Sequence, residues 1–323
     1  MNELTGQYES LRSGVGFSVL AGRTQIEITG EDRSKLLHSF CTNDIEKLAP
    51  GDGCEAFITN VQGKTVGFVF VLCSDQSLYL ETAPGHGQAI IGHLNRYVIR
   101  EDVEFHDRTP TFGTILLAGL KSTELLQKLS ASTVPTQLYG HVSRQISDVD
   151  VAVRCVPTAG QPSYSIVFYA NSLDQLTATF SGEATACSSE AIEICRIENG
   201  VPEFGIDITD ANLPQEVDRD AAAISFSKGC YLGQETVARL DALGHVNRKL
   251  VAMRFAGEQV PERGTELSVG EKVIGHITSA AVSPRYDGVL ALGYVRREHF
   301  AAGTTLSSPV GDAEVVNLRQ GDP

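Results

Sequence analysis

The pattern of apolar residues changes near Lys249, and this change most constrains how the chain can fold. Before it, short strand patterns alternate with amphipathic helix patterns. After it, only strand patterns follow one another, separated by Gly, Pro and Asp. The clearest of them are residues 250–255, 266–269, 272–280, 289–295 and 313–318. The sequence therefore predicts layered α+β structure followed by a small C-terminal β-barrel.

The part before residue 247 alternates strands with helices. Strand patterns occupy residues 16–20, 24–29, 55–60, 65–72, 77–82, 100–105, 114–120, 149–155 and 163–169. Helix patterns occupy residues 32–42, 87–97, 122–129, 173–180 and 188–199, with Asp32, Ser122 and either Ser188 or Ser189 as predicted N-caps. Helices mixed with adjacent hairpins are typical of ferredoxin-like α+β layers.

The composition predicts a globular protein of two or three domains. The chain has 323 residues, of which 42% are hydrophobic. No apolar run reaches the roughly 18 residues that a membrane-spanning helix needs, so we expect no membrane partner. The net charge of −14 argues against binding to nucleic acid, although it permits a local basic cleft for a small polyanion.

The cysteines indicate a reducing compartment. There are seven of them, and no two are spaced Cys-x-x-Cys, which argues against a disulfide framework and a zinc ribbon. Residues 1–12 lack the apolar core of a signal peptide and the basic character of a transit peptide. We therefore expect a cytoplasmic protein. Nothing at metal-ligand spacing accompanies His276, so we predict no metal site.

Residues 227–241 place a cysteine among polar residues just before a helix pattern. Gly229 permits a sharp turn before Cys230, and the helix pattern runs over residues 232–243 to a stop at Gly244. A helix N-terminus and the adjacent Lys228 would both favour the thiolate of Cys230 and lower its pKa. The alternative is a buried cysteine that packs as a small hydrophobe.

Several motifs resemble one known family. Residues 228–235, Lys-Gly-Cys-Tyr-Leu-Gly-Gln-Glu, resemble the signature of the YgfZ family of folate-binding proteins, which is related to the aminomethyltransferase (T-protein) of the glycine cleavage system. Residues 196–207 resemble the Arg-x-Glu-x-Gly-x-Pro-x-x-Gly-x-Asp element of that family, and residues 42–44 resemble its Thr-Asn-Asp element. Residues 275–280 and 291–296 resemble its C-terminal barrel, so the resemblance covers nearly the whole chain.

The resemblance implies an aminomethyltransferase-like folate-binding fold. Two intertwined ferredoxin-like lobes would surround a central folate pocket, and a C-terminal β-barrel would follow them. Residues 1–48 together with 143–247 would form the folate-binding lobe. Residues 49–142 would form the second α+β lobe, and residues 248–323 the barrel.

The same resemblance implies a tetrahydrofolate site. Glu198 would contact the pterin, because a carboxylate can accept two adjacent N–H donors from the pterin edge. A Glu at the end of a helix opposes the helix dipole and so needs another reason to be there, although a solvated charge is the alternative. Cys230 and Lys228 would be the catalytic pair at the rim of the pocket. Further folate contacts would come from Asn43, Asp44, Tyr231, Gln234 and Arg239, with Arg248 beside the carboxylate tail.

Three functions are compatible with these motifs. The first is a tetrahydrofolate-binding factor that assembles or repairs iron–sulfur clusters in client proteins, with Cys230 as a one-carbon acceptor, a redox thiol or a transient ligand. The second is a folate-dependent aminomethyl- or methyltransferase. The T-protein hairpin carries an acidic pair that is missing from residues 62–68 here, which favours the first function. The third is a folate-binding module with an unreactive Cys230.

Overall fold

The computed structural model describes residues 3–160, 162–257 and 259–318. Eleven strands of the described chain precede residue 247. They form two open sheets. In chain order, the strands are β1 (Gly16–Val19), β2 (Thr24–Thr29), β3 (Gly53–Thr59), β4 (Thr65–Cys73), β5 (Leu78–Thr82), β6 (Glu104–Asp107), β7 (Phe112–Ala118), β8 (His141–Ile146), β9 (Val149–Cys155), β10 (Ser163–Tyr169) and β11 (Thr185–Ala186).

The two sheets exchange segments of the chain. The six-stranded sheet has the order β11-β1-β7-β10-β9-β8, and the five-stranded sheet has the order β3-β4-β5-β2-β6. The consecutive strands β1 and β2 therefore belong to different sheets, and so do β6 and β7. This exchange confirms the intertwined α+β architecture. The proposed division at residues 48, 142 and 247 stays a prediction. Two strand pairs cross it, β1 with β7 and β2 with β5.

Eight helices cover these sheets in the part of the chain that the structure describes. They are α1 (Glu3–Arg12), α2 (Arg33–His38), α3 (Gly87–Asn95), α4 (Ser122–Ser130), α5 (Leu173–Ser181), α6 (Ser189–Glu198), α7 (Asp220–Ala223) and α8 (Gln234–Leu243). Helix α1 was not predicted, although Leu4, Tyr8 and Leu11 follow helical spacing and the last two are buried. No described helix has the length and apolar character required to cross a bilayer.

The N-cap predictions have mixed outcomes. Ser188 caps α6, because its hydroxyl accepts a hydrogen bond from the backbone N–H of Ala191. Ser122 is instead the first residue of α4, and its hydroxyl donates to the carbonyl of Pro162. Asp32 stands at the N-cap of α2, but its side chain accepts from the backbone N–H of Asp102 and makes no cap bond.

The C-terminal part is a closed six-stranded barrel, as predicted. Its order is β12-β15-β14-β13-β16-β17, and β17 pairs back onto β12, so the barrel has no open edge. The strands are β12 (Arg248–Phe255), β13 (Glu266–Val269), β14 (Lys272–Ser283), β15 (Gly288–Arg296), β16 (Thr305–Ser308) and β17 (Gly311–Val316).

A central core joins the two sheets to the barrel. It includes Tyr8 of α1, Phe57 of β3, Phe68 and Phe70 of β4, and Leu292 of β15, all of them buried. Separate cores lie under the six-stranded sheet, under the five-stranded sheet and inside the barrel. The two cavities described below lie beside this core, and residues of more than one unit line each of them.

A buried ion pair ties α6 to the barrel. The guanidinium of Arg196 donates to the Asp207 carboxylate over 2.7 Å and to the hydroxyl of Ser279 over 2.8 Å. Asp207 also accepts from the hydroxyls of Thr278 and Ser279, both on β14. Arg196 and Asp207 are 4% and 1% exposed, so removing either leaves a buried charge without one of its ion-pair partners.

The substitution Asp207→Ala tests this connection. It removes one of the carboxylates that pair with the buried Arg196 cation, so we expect the free energy of unfolding to fall by about 3–5 kcal/mol. Urea denaturation measures this change, and Asp312→Ala on the exposed side of β17 is the matched control. Equal effects of the two substitutions would show that the pair does not stabilise the fold.

Candidate functional site

Lys228 anchors the cysteine loop to the turn after α2. Its ammonium donates to the backbone carbonyls of His38, Cys41 and Asn43, the last two over 2.8 Å. The ammonium also lies 4.9 Å from the centre of the Tyr231 ring. Burial lowers the pKa of Lys228, against the opposing effects of nearby acidic groups.

The predicted pairing of Lys228 with the Cys230 thiol is therefore wrong. An ammonium group has three N–H donors, and three carbonyls accept them here. Lys228 fixes the position of the loop that carries Cys230 and does not contact the sulfur.

Cys230 also lies farther from the helix than predicted. Helix α8 begins at Gln234, and Gly233 is its N-cap with a φ of +81°. The left-handed glycine is thus Gly233 and not Gly229. A Cβ on Gly233 would come within 2.3 Å of the carbonyl oxygen of Asn60, so glycine is required where the loop crosses the β3–β4 hairpin.

Cys230 is the accessible thiol of this protein. All seven cysteines lie in the described residues, all are free, and only Cys230 is exposed. Burial raises the pKa of Cys41 and of Cys187 to about 11 and that of Cys195 to about 12. These three thiols are less accessible than Cys230, and burial keeps them protonated at neutral pH. The alternative of a buried, packed Cys230 is wrong.

Asn43 and Asp44 hold the backbone of the turn that Lys228 also contacts. The Asn43 amide donates to the carbonyls of Glu55 and Ala222 over 2.8 and 2.9 Å. Asp44 pairs with Lys47 over 2.6 Å, and this hydrogen bond is the main cause of its lowered pKa. Asn43 therefore connects the turn after α2 to neighbouring elements, whereas Asp44 pairs within its own segment. Neither residue lines the cavities described below.

The other predicted folate contacts are dispersed. Tyr231 is buried in the central core, and burial raises its pKa. Gln234 begins α8, and Arg239 lies on the exposed side of that helix. Arg248 pairs with Glu216 over 3.0 and 3.1 Å. The structure does not bring these four side chains together around either of the two cavities that are described below.

Glu198 is a buried carboxylate, so the alternative of a solvated charge is wrong. It is 2% exposed at the end of α6. It accepts hydrogen bonds from the hydroxyl of Tyr8, with 2.9 Å to the nearer oxygen, and from the hydroxyl of Ser283 on β14. Burial and the Glu198 charge raise the pKa of Tyr8. Arg12 donates to the same tyrosine oxygen over 3.2 Å.

Glu198 lines a cavity of about 810 Å³ between α1, α6, the 217–219 turn and the barrel. We call it the Glu198 cavity. Four cations and two carboxylates line it, which gives a local charge of about +2 in a chain whose net charge is −14. These charged residues are Arg12, Glu198, Asp218, Arg219, Lys249 and Arg285. The sequence analysis did not predict this group of cations, because its members come from four separate segments of the chain. The one local sign was the spacing of Tyr8 and Arg12, which places both side chains on the same face of α1.

A second cavity of about 320 Å³ lies on the other side of the 198–204 segment. We call it the Phe204 cavity. Phe68, Phe70 and Phe204 contribute to its apolar walls, and Val201 lines both cavities. The family-like motif of residues 196–207 is therefore the wall that the two cavities share.

Family models match the chain on both sides of the α8–β12 junction. A model described as the GCVT N-terminal domain matches residues 3–228. The chain belongs to this family. A model described as the glycine cleavage T-protein C-terminal barrel domain matches residues 248–319 of the GCVT-family chain, which coincides with the closed barrel.

Individual relatives agree with this assignment. The GCVT-family chain is 27% identical to an aminomethyltransferase of Symbiobacterium thermophilum, over 92% of this chain and 83% of the relative. It is 26% identical to a chloroplastic protein of Arabidopsis thaliana that is named as a transferase, over 93% of this chain and 69% of the relative. A crystal structure of the glycine cleavage system aminomethyltransferase T of Bartonella henselae superposes with a TM-score of 0.88 at 17% identity, covering 98% and 88% of the two chains. The predicted fold class is confirmed.

The reactivity of the thiols tests the exposure of Cys230. We expect Ellman's reagent to label one thiol rapidly in the native protein and all seven after denaturation. Cys230→Ser should slow the first labelling event by about tenfold or more, because five of the other thiols are buried and Cys54 is only partly accessible. Cys187→Ser is the control that should leave it unchanged. Rapid labelling that persists in Cys230→Ser would contradict this assignment.

Proposed function

We propose that this protein binds tetrahydrofolate in the Glu198 cavity and acts as a folate-dependent one-carbon transferase of the aminomethyl- or methyltransferase type. The observation that carries the proposal is the buried Glu198 carboxylate beside a cavity with an excess of cationic side chains. An ionised or neutral carboxyl group is rarely left in such a place unless it has a function or a full set of partners.

The donors and acceptors of the Glu198 cavity fit a reduced folate. A pterin offers adjacent N–H donors along one edge, and the Glu198 carboxylate can accept two of them. The hydroxyls of Tyr8 and Ser283 and, over 3.4 Å, the backbone N–H of Arg285 donate to Glu198. A carboxylate has about four acceptor positions, so acceptor capacity remains. Arg12, Lys249 and Arg285 offer charge to the carboxylates of a glutamate tail.

Each protein group has a definable task in this proposal. Glu198 orients the pterin, and Tyr8 and Ser283 hold the carboxylate in position. Leu250 and Leu292 provide apolar walls that exclude water. A bound tetrahydrofolate supplies the nitrogen atoms to which a one-carbon unit attaches. The names of the aminomethyltransferase relatives support this reading over a role in binding alone.

Calorimetry with tetrahydrofolate tests the binding site. We expect Glu198→Ala to weaken binding by about 10- to 100-fold, because a hydrogen bond to a charged group contributes about 1.5–3 kcal/mol. Glu190→Ala, an exposed position on the same helix, is the matched control. Cys230→Ala should also bind normally, since Cys230 does not line the cavity. Unchanged binding in Glu198→Ala would refute the pterin contact.

Two features favour a second function. Cys230 is exposed on a rigidly anchored loop, and the hairpin of residues 62–68 lacks the carboxylates expected of glycine-cleavage chemistry. These features support a YgfZ-type factor that assists iron–sulfur client proteins. A single thiolate cannot hold a cluster, which takes about four protein ligands, so the client would have to supply the others.

Paired assays distinguish the two functions. A transferase should form one-carbon-substituted tetrahydrofolate from an aminomethyl donor over many turnovers, and this activity should fall by about tenfold or more in Glu198→Ala. A maturation factor should yield no such product, and Cys230→Ser should fail to restore the activity of iron–sulfur enzymes in cells that lack the protein. Normal client activity with Cys230→Ser would exclude the second function.

A further inference from the structure

His38 is a buried histidine at the end of α2, and its ring lacks a satisfactory hydrogen bond. The residue is 8% exposed, and its Nδ1 atom has no hydrogen-bond partner among the described residues. The Asp44 carboxylate lies 3.3 Å from Nδ1. This distance is longer than the roughly 2.7–3.2 Å of an N–H···O hydrogen bond. A buried polar atom without a partner is uncommon in a folded protein, and a catalytic or redox role is one explanation for it.

The other ring nitrogen of His38 faces the cysteine loop. The Cβ position that Gly229 lacks lies 3.7 Å from Nε2 of His38. Cys230 follows Gly229 directly, so the two Cα atoms are about 3.8 Å apart. The exposed carboxylate of Glu46 is also 3.7 Å from Nε2, which is too long for a hydrogen bond. Nε2 is therefore the ring nitrogen that lies beside the accessible thiol.

Two hydrogen bonds hold Cys230 next to this ring. On one side of the cysteine, the Lys228 ammonium donates to the carbonyl of His38 itself. On the other side, the backbone N–H of Leu232 donates to the carbonyl of Ser39 over 2.9 Å. Cys230 lies midway between these two anchors, and their acceptors are consecutive residues at the end of α2. The loop cannot carry the thiol away from His38 without breaking at least one of them.

The charges around His38 keep its ring neutral at pH 7. Burial lowers the pKa of His38, and the charges of Lys228 and Lys47 act in the same direction, whereas Glu46 and Asp44 oppose them. An unperturbed histidine has a pKa of about 6.5, so the lowered pKa leaves the imidazole uncharged. Asp44 lies on the Nδ1 side and favours the tautomer with its proton there. Nε2 is then free to accept a proton.

We propose that His38 is the general base for Cys230 and that the two residues together react with low-molecular-weight disulfides by thiol–disulfide exchange. Nε2 takes the thiol proton, and the Cys230 sulfur attacks one sulfur of the disulfide. A new S–S bond forms as the old one breaks, and the leaving thiolate takes the proton from the imidazolium. Cys230 is oxidised to a mixed disulfide, and the released half of the disulfide is reduced to a thiol. This inference goes beyond the proposed function, because it requires neither folate nor a client protein.

His38 thus replaces Lys228 as the group that activates the thiol. The Lys228 ammonium donates to three carbonyls and is not available to the sulfur. His38 lies 190 positions before Lys228, so no local sequence pattern connects it to the cysteine. Contacts between a reacting group and its base are often long in a protein without substrate, and they shorten in the complex.

The pH dependence of labelling tests the proposal on the unmodified protein. At pH 7 only a few per cent of a free thiol is ionised, so an adjacent base can accelerate its reaction by about tenfold. At about pH 9.5 most free thiols ionise without help. We therefore expect the labelling rate of Cys230 with Ellman's reagent, divided by that of free glutathione, to fall by about tenfold between these pH values. The trace of Cys230→Ser is subtracted to remove the other thiols, and a ratio that does not change with pH would contradict the proposal.

Variants assign this effect to His38. His38→Gln keeps a polar side chain but cannot take up a proton, so labelling of Cys230 should slow by about tenfold at pH 7 and stay unchanged near pH 9.5. A purely structural role of His38 would alter the exposure of the thiol and change both rates alike. His276→Gln, which replaces a half-buried histidine on β14, is the matched control and should react as the wild type does. Circular dichroism checks that each variant is folded.

Glutathione disulfide tests the reaction itself. We expect mass spectrometry to find one glutathionyl group on the peptide that contains Cys230, and this product should form about tenfold more slowly in His38→Gln at pH 7. The proposal is wrong if glutathione disulfide leaves Cys230 unmodified, if a folded His38→Gln reacts as fast as the wild type at pH 7, or if the two differ equally at both pH values.

Discussion

The ion pair between Arg196 and Asp207 is the interaction on which both cavities depend. Each partner is almost fully buried, and the pair joins the end of α6 to the barrel strand β14. Arg196 also donates to the carbonyl of Val201, and Asp207 accepts from the backbone N–H of Glu203. The segment between them is therefore fixed at both ends and along its length. Because a buried ion pair is costly to break, the segment of residues 196–207, which separates the two cavities, has one defined position.

The fixed segment places two glutamates in different environments five residues apart. Glu198 lies among hydroxyl donors beside a cavity with an excess of cations. Glu203 has only long contacts to guanidinium groups beside a cavity with aromatic walls. The loop that presents Cys230 is fixed independently, through Lys228 and the turn after α2. The fold thus separates a cavity with an excess of cations, a cavity with aromatic walls and an exposed thiol.

Local patterns in the sequence were sufficient to predict the barrel, most strands and the Ser188 cap, because alternation and capping depend on neighbouring residues. The role of Lys228 could not be predicted in this way. Its acceptors lie about 190 positions earlier in the chain, and only the folded structure brings them to the ammonium. The cations of the Glu198 cavity were missed for the same reason. Glu198 itself was found through the family resemblance, whereas its burial followed only from the packing of α1 and β14 around it.

The central claim is that Glu198 recognises the pterin of a bound folate. A crystal structure of the protein with tetrahydrofolate tests it most directly. We expect the pterin to occupy the Glu198 cavity with two N–H donors within about 2.7–3.2 Å of the Glu198 carboxylate and the glutamate tail near Arg12, Lys249 or Arg285. A pterin bound in the Phe204 cavity or elsewhere, with no contact to the Glu198 carboxylate, would contradict the account.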